Sequence, residues 1–280
     1  MKTKIQILAA LIIGFGLLMT SCNKKDVNTP NPDNNTNYSQ DNSFAESVYD
    51  NVTNIGDEAY DYASNGNMKS TDAESIFLGP CATVTLDTTV SPRELIIDFG
   101  DENCLCNDGK YRRGKIIISF TGRYRRPGTV ITTGFDNYFV NDNNVDGTKV
   151  VTNMGLNDSG HLYYNISVTG VIYKALDGGT LSWNSTRVRE WVEGADTRKR
   201  RDDVYLITGD GNGIRPNGKT WEIEIINALR IELNCRWIVS GSVEIRPQGH
   251  STRLLDYGDG TCDNIATVII DGVTYTIFLH

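Results

Sequence analysis

The sequence predicts a mostly β protein: a large antiparallel meander, folded as a curved sheet, open barrel or sandwich, with one amphipathic helix at its N-terminal side. Three observations carry that expectation. From Cys81 onward the apolar pattern is twofold, with Ile116, Ile118 and Phe120 alternating with Lys115, Ser119 and Thr121, and Leu162, Tyr164, Ile166 and Val168 alternating with His161, Asn165 and Ser167. This is the pattern of strands with one dry and one wet face. The runs are joined by short turn-forming stretches with no helical pattern between them, which makes sequence neighbours antiparallel partners. Helical period appears at Phe44, Val48, Val52, Ile55 and Ala59, which recur at three- and four-residue steps.

The elements follow in order. Residues 5–19 (IQILAALIIGFGLLM) come after Lys2 and Lys4 and read as a secretory signal, too short for a comfortable membrane span. The signal, residues 1–21, runs into Cys22 through Leu18-Met19-Thr20-Ser21-Cys22, which resembles a bacterial lipobox. That resemblance implies that Cys22 becomes the mature N-terminus and carries acyl chains, making a lipid bilayer the first expected partner. Asn23 stands where an Asp would favour inner-membrane retention, so the expected location is an exported lipoprotein of the outer membrane, on its periplasmic or its surface face. Residues 22–42 read as the acylated cysteine and a flexible, Asn-rich tether without hydrophobic periodicity. A helix over 43–62 follows, with Asp41, Asn42 and Ser43 as competent caps, and residues 63–72 read as a loop. One β-rich domain, helix included, is expected over 43–280.

Further apolar-alternating runs occupy about 129–140, 148–154, 171–176, 180–192, 203–209, 219–233, 235–246, 252–257, 266–270 and 273–279. Asp177-Gly178-Gly179, Asn217-Gly218 and Asp271-Gly272 separate some of them, the last being the strongest two-residue hairpin signal in the chain.

Export makes the cysteines candidates for pairing. Five remain after Cys22: Cys81, Cys104, Cys106, Cys235 and Cys262, an odd number that leaves at least one thiol or an intermolecular bond. A hairpin with its turn near Pro247–Ser251 brings Cys235 to Cys262. The hairpin of ATVTLDT with RELIIDFG brings Cys81 to Cys104 or to Cys106, and the pattern does not choose between them.

The formal charge of −8 becomes −10 once Lys2 and Lys4 leave with the signal, and no broad basic footprint exists. Nucleic acid is therefore excluded as a general partner. The local clusters Arg123/Arg125/Arg126 and Arg198/Lys199/Arg200/Arg201 remain, the second followed at once by Asp202 and Asp203. The chain has no G-x-S-x-G elbow, no H-E-x-x-H and no phosphate-binding glycine loop, and its histidines are His161, His250 and His280. No catalytic residue, cofactor or metal is expected. Asp142-Asn143-Asn144-Val145-Asp146-Gly147 imitates the first half of a calcium loop, but Asn153 stands where a bidentate Glu is needed, so it reads as a hairpin turn. Asp256, Asp259 and Asp263 form a second oxygen-rich turn read the same way.

The most suggestive pattern lies in LSWNSTRVREWVEG. On an unbroken strand Trp183, Ser185, Arg187, Arg189 and Trp191 share one face, and flat indoles beside guanidiniums suit a glycan or an anionic polymer if that face is wet. The alternative is a stiffening ladder of cross-strand pairs. The segments GTVITTGFDNYFVNDNNVDGTKVVTN (128–153), LSWNSTRVREWVEG (181–194), RWIVSGSVEI (236–245) and LDYGDGTCDNIATVIIDGVTYTI (255–277) resemble a family of exported lipoproteins of Bacteroidota-type bacteria, over about residues 78–279. The resemblance implies envelope placement and a β-rich fold, without a reaction or a site. The expected function is a non-catalytic envelope lipoprotein with a surface-recognition or structural role, its partner a glycan or a protein. The alternative is a glycan or lipid carrier with a groove in the curved sheet. Whether the interior is hollow or filled discriminates between them.

Overall fold

The computed structural model describes residues 33–64 and 77–279, apart from Asp177, Arg198 and Arg200. The signal, Cys22 and residues 23–32 of the tether lie outside the described residues, as do 65–72 of the expected loop. The helix α1 (Asn37–Ser64) is followed by β1 (Thr83–Asp87), β2 (Arg93–Asp98), β3 (Cys104–Leu105), β4 (Tyr111–Phe120), β5 (Val130–Val140), β6 (Asn143–Leu156) and β7 (Leu162–Tyr173). The second half comprises β8 (Thr180–Glu193), β9 (Val204–Ile214), β10 (Thr220–Glu232), β11 (Ile238–Pro247), β12 (Arg253–Asp259), β13 (Ile265–Ile270) and β14 (Val273–Phe278). All belong to one antiparallel sheet in which sequence neighbours pair; the two-residue β3 pairs only with β4. The sheet is not closed, with β1 and β14 as its edges. The turn between β13 and β14 has positive φ at both Asp271 and Gly272, as the Asp-Gly pair requires.

The helix touches β1, β2, β4, β8 and β11. In a flat sheet, nine steps of about 4.8 Å would hold β1 and β11 roughly 43 Å apart, whereas a helix with its side chains is about 10–12 Å wide. The sheet therefore curves around α1, and its concave face forms the core. That face carries Ile116 and Ile118 of β4, Tyr164, Ile166 and Val168 of β7, Trp221 and Ile223 of β10, Val243 and Ile245 of β11, and Val268 and Ile270 of β13, all buried. Two glycines make room for aromatic rings, one from the helix and one from the neighbouring strand β10. A side chain on Gly170 would meet the ring of Tyr49, and one on Gly213 the indole of Trp221. This is why the runs expected at 162–168 and 171–176 are one strand, β7, whose inward pattern is blank at Gly170.

The helix begins at Asn37 and not at residue 43, so residues 33–42 are not tether. Their polarity is spent on the protein. Asp33 and Asn35 accept backbone N–H groups ahead of the first turn, and Asp33 Oδ2 also receives Arg253 Nη2 at 2.8 Å. Tyr38, Ser39, Asp41 and Asn42 are buried.

Two disulfides are present, Cys235–Cys262 and Cys81–Cys104. The first closes the β11–β12 hairpin from outside its ends, and the second ties the loop before β1 to β3. Cys106 is the buried free thiol, and burial pushes its pKa up. Paired cysteines place the chain in an oxidising, non-cytoplasmic compartment. No helix among the described residues is long and apolar enough to cross a membrane.

Candidate binding site

On α1, Glu46, Asp50, Thr53 and Asp57 recur at steps of four, three and four, which places them on one helix face. In an isolated helix that face would be solvated. Here β6–β9 stand opposite it and supply Lys149, Ser185, Arg187, Arg189 and Tyr205 from their inward positions. Lys149 sits between Val145 and Val151 in the inward register of β6.

The seam between helix and sheet is polar and specific. Arg187 donates from Nε and Nη2 to Glu46 Oε1 at 3.4 and 3.1 Å. Lys149 Nζ donates to the Tyr49 carbonyl at 2.8 Å and to Asp50 Oδ1 at 3.5 Å. Arg189 donates to the Tyr124 hydroxyl, and its guanidinium lies 5.0 Å from the Tyr205 ring centre and 5.3 Å from that of Tyr164. Nearer the helix start, Asp41 receives Lys174 at 3.0 Å and Arg215 at 2.6 Å. Asn42 Oδ1 accepts the indole N–H groups of Trp183 at 3.2 Å and Trp221 at 3.4 Å. Tyr49 OH donates to the Asp146 carbonyl at 2.8 Å.

The Trp/Arg row of β8 is thus brought together as expected, but on the concave face. Trp183, Arg187, Arg189 and Trp191 are only 2%, 4%, 8% and 4% exposed. They are not a solvent-facing stacking platform. Trp183 stacks on Tyr49 of α1 at 5.7 Å, and Trp191 lies among Tyr124 and Tyr205. Val188, on the other side of the strand, is the exposed residue. Strand alternation told which residues share a face; the helix, by covering the charged face, decided which face is dry.

Burial acts on the charges of the seam. It raises the pKa of Glu46 against the pull of Arg187, and it lowers that of Lys149 against the pull of Asp50. Both shifts favour the neutral forms, since a charge loses hydration inside.

Of the spaces between α1 and the sheet, two adjoin, of about 80 and 40 Å³, and both are lined by Thr53, Asp57, Lys149 and Arg189. The larger continues along an apolar wall of Val52, Leu95, Ile118, Phe120, Ile131 and Val151. The smaller adds Glu46, Asp50, Ser185 and Arg187 to that shared lining, beside the apolar Ile166, Val168 and Ile207.

The two oxygen-rich turns are structural. Asn141 and Asp142 take positive φ in the β5–β6 turn, and Asn153 faces inward to donate to the Tyr124 carbonyl. Asp256, Asp259 and Asp263 each accept a backbone N–H two residues on. Among the described residues, no group of three or more His, Cys, Asp or Glu is placed to hold a metal. No family model, curated protein or solved structure matches the chain.

Proposed function

We propose that the chain is a non-catalytic, envelope-anchored binding protein, held to the bilayer by acylated Cys22 and recognising a small molecule in the seam between α1 and the sheet. The observation that carries this reading is the pair of adjoining chambers that the chain's own packing leaves open, with buried Lys149 and Arg189 in their shared lining and an apolar wall beyond. Envelope placement draws on the lipobox-like Leu18–Cys22 and on the two disulfides. The filled interior speaks against carriage of a lipid chain or an oligosaccharide, because α1 occupies the trough such a ligand would need. Recognition through an outward Trp/Arg row is set aside with the row's burial.

Two measurements test the reading. Intact mass of the mature protein is expected to show an acyl-modified Cys22, and Cys22→Ala protein to leave the detergent phase; an unmodified N-terminal residue refutes the anchor. A thermal-shift screen of small polar and amphiphilic molecules on Cys22→Ala protein is expected to yield a class that stabilises it but not the same protein with Ile131→Phe, which fills the larger chamber. If no compound distinguishes the two, the binding role is wrong.

A further inference from the structure

The two chambers differ in character, and together they describe a shape. At their shared end stand two cationic side chains, Lys149 and Arg189. Arg189 donates to the Tyr124 hydroxyl and feels the charge of Asp57 across the seam. From that end the larger chamber runs along Leu95, Ile118, Phe120, Ile131 and Val151, with no charged group on that wall. A guest that satisfies both ends is anionic at one end and apolar at the other.

Resting on the binding role proposed above, we infer that the seam binds a short-chain monocarboxylate, its carboxylate between Lys149 and Arg189 and its chain along the apolar wall of β2, β4, β5 and β6. Size limits the chain. A cavity that accepts benzene has about 150 Å³, and the larger chamber has about 80 Å³, so three or four carbons fit and a long acyl chain does not. Charge selects the head. Asp50 and Asp57 on the helix side of the same space hold the local charge low, which disfavours a dianion such as phosphate; phosphate would also leave the apolar wall uncovered. A planar carboxylate matches the guanidinium fork, whereas an amide or alcohol of the same length forgoes the charge-assisted bonds. Burial pushes the pKa of Lys149 down, and an arriving anion pushes it back up.

Isothermal titration of Cys22→Ala protein with butanoate, butanamide, butan-1-ol and inorganic phosphate, at pH 7 in two buffers of different ionisation enthalpy, tests this. Saturable binding of butanoate, at least tenfold tighter than of butanamide, is expected, with no heat from phosphate; tenfold is the lower end for one charge-assisted hydrogen bond. Arg189→Met is expected to remove that preference. Ile131→Phe, which leaves the charges in place, is expected to abolish butanoate binding and guards against the Arg189 variant failing to fold. If butanamide or butan-1-ol binds as well as butanoate, the carboxylate class is overturned while a seam that binds small molecules survives. If phosphate alone binds, the seam is an anion site and the monocarboxylate inference is wrong. If none of the four binds, the inference is likewise overturned, and the wider screen decides the binding role separately.

Discussion

Removing the Arg187 side chain isolates what the buried ion pair between α1 and β8 contributes. Glu46 and Arg187 are each 4% exposed, and one carboxylate oxygen receives both guanidinium contacts. Arg187→Met keeps most of the stem volume and deletes the charge, stranding Glu46 among Trp183, Tyr257 and the helix. A buried pair broken from one side typically costs about 3–5 kcal/mol, while replacing both partners by apolar groups is near neutral or stabilising. Arg187 also donates to the Asp210 carbonyl, a bond the double variant still lacks, worth about 1 kcal/mol. Glu46→Leu/Arg187→Met is therefore expected within about 2 kcal/mol of wild type and Arg187→Met well below it, a coupling of at least about 2 kcal/mol. The single variant carries a pH signature. The folded-state pKa of Glu46 is already raised by burial, with Arg187 opposing, and losing Arg187 raises it further. A raised folded pKa means that the stability is present below the unfolded value of about 4.5 and lost as pH rises through the folded one. The deficit of Arg187→Met should thus be smaller near pH 5 than at pH 8, with Asp50 adding to it and Lys149 subtracting. Urea unfolding of Cys22→Ala protein, read by tryptophan fluorescence at both pH values, measures this. Additive losses in the double variant, or a deficit that does not change with pH, would refute the account.

Three further outcomes follow from burial and covalent geometry. Trp183→Ala should lower stability by about 3–5 kcal/mol, the range for a large buried aromatic, because the ring stacks on Tyr49 and its N–H is bonded to Asn42; a melt unchanged from wild type would return the residue to the surface. Opening Cys235–Cys262, a separation of 27 residues, with Cys235→Ser/Cys262→Ser should cost about 3–4 kcal/mol on the loop-entropy account, and peptide mapping should leave Cys106 as the thiol that reacts only after denaturation. Burial lowers Lys110 to about 8 from 10.5, so the unfolded chain binds more protons than the folded one between those values, and stability should rise with pH from 8 to 10 relative to Lys110→Met. Above pH 10 both proteins lose stability, since burial holds Tyr138 and Tyr164 at about 12 and their ionisation favours the unfolded chain. A wild-type midpoint that does not rise relative to that of Lys110→Met between pH 8 and 10 would contradict the assignment.

Much of the fold is written in local pattern. Twofold alternation and Asp271-Gly272 mark strands and a turn because both depend on neighbours in sequence, and the Cys235–Cys262 bond follows from hairpin pairing. What local pattern misses is long-range. Asp33, Asp41 and Asn42 look like solvated tether until β8, β9, β10 and β12 bring Trp183, Arg215, Trp221 and Arg253 to them. The choice of Cys104 over Cys106 rests on where the loop before β1 returns, which no spacing records. The stripe of Glu46, Asp50, Thr53 and Asp57 has helical period and reads as a wet face; the burial of Glu46 and the half-burial of the others follow from the sheet's curvature. One local signal did mark the site: Lys149 interrupts an inward register that Val145 and Val151 define.

The distribution of contacts along α1 explains why the chambers persist. Apolar burial is non-directional and would tolerate rotation or sliding of the helix in its trough, so the helix position must be set by directional bonds. In its N-terminal half they run from Asp41, Asn42, Ser43, Glu46 and Tyr49 to β6, β7, β8, β10, β12 and the loops after β7 and β9. The chambers lie farther along, from Glu46 to Tyr60, with the larger one beside Val52–Tyr60. There Gly56 lets Ile118 approach the helix axis; a Cβ at that position would meet the Ile118 side chain at 2.5 Å. The far end is tied separately, through Glu58 accepting the backbone N–H groups of Phe77 and Leu78. A helix pinned on both sides of a stretch cannot collapse onto the sheet in between, and the space left there is held open by bonds that do not themselves line the apolar wall. Loss of the Asp41 or Asn42 bonds should therefore close or reshape the chambers from a distance.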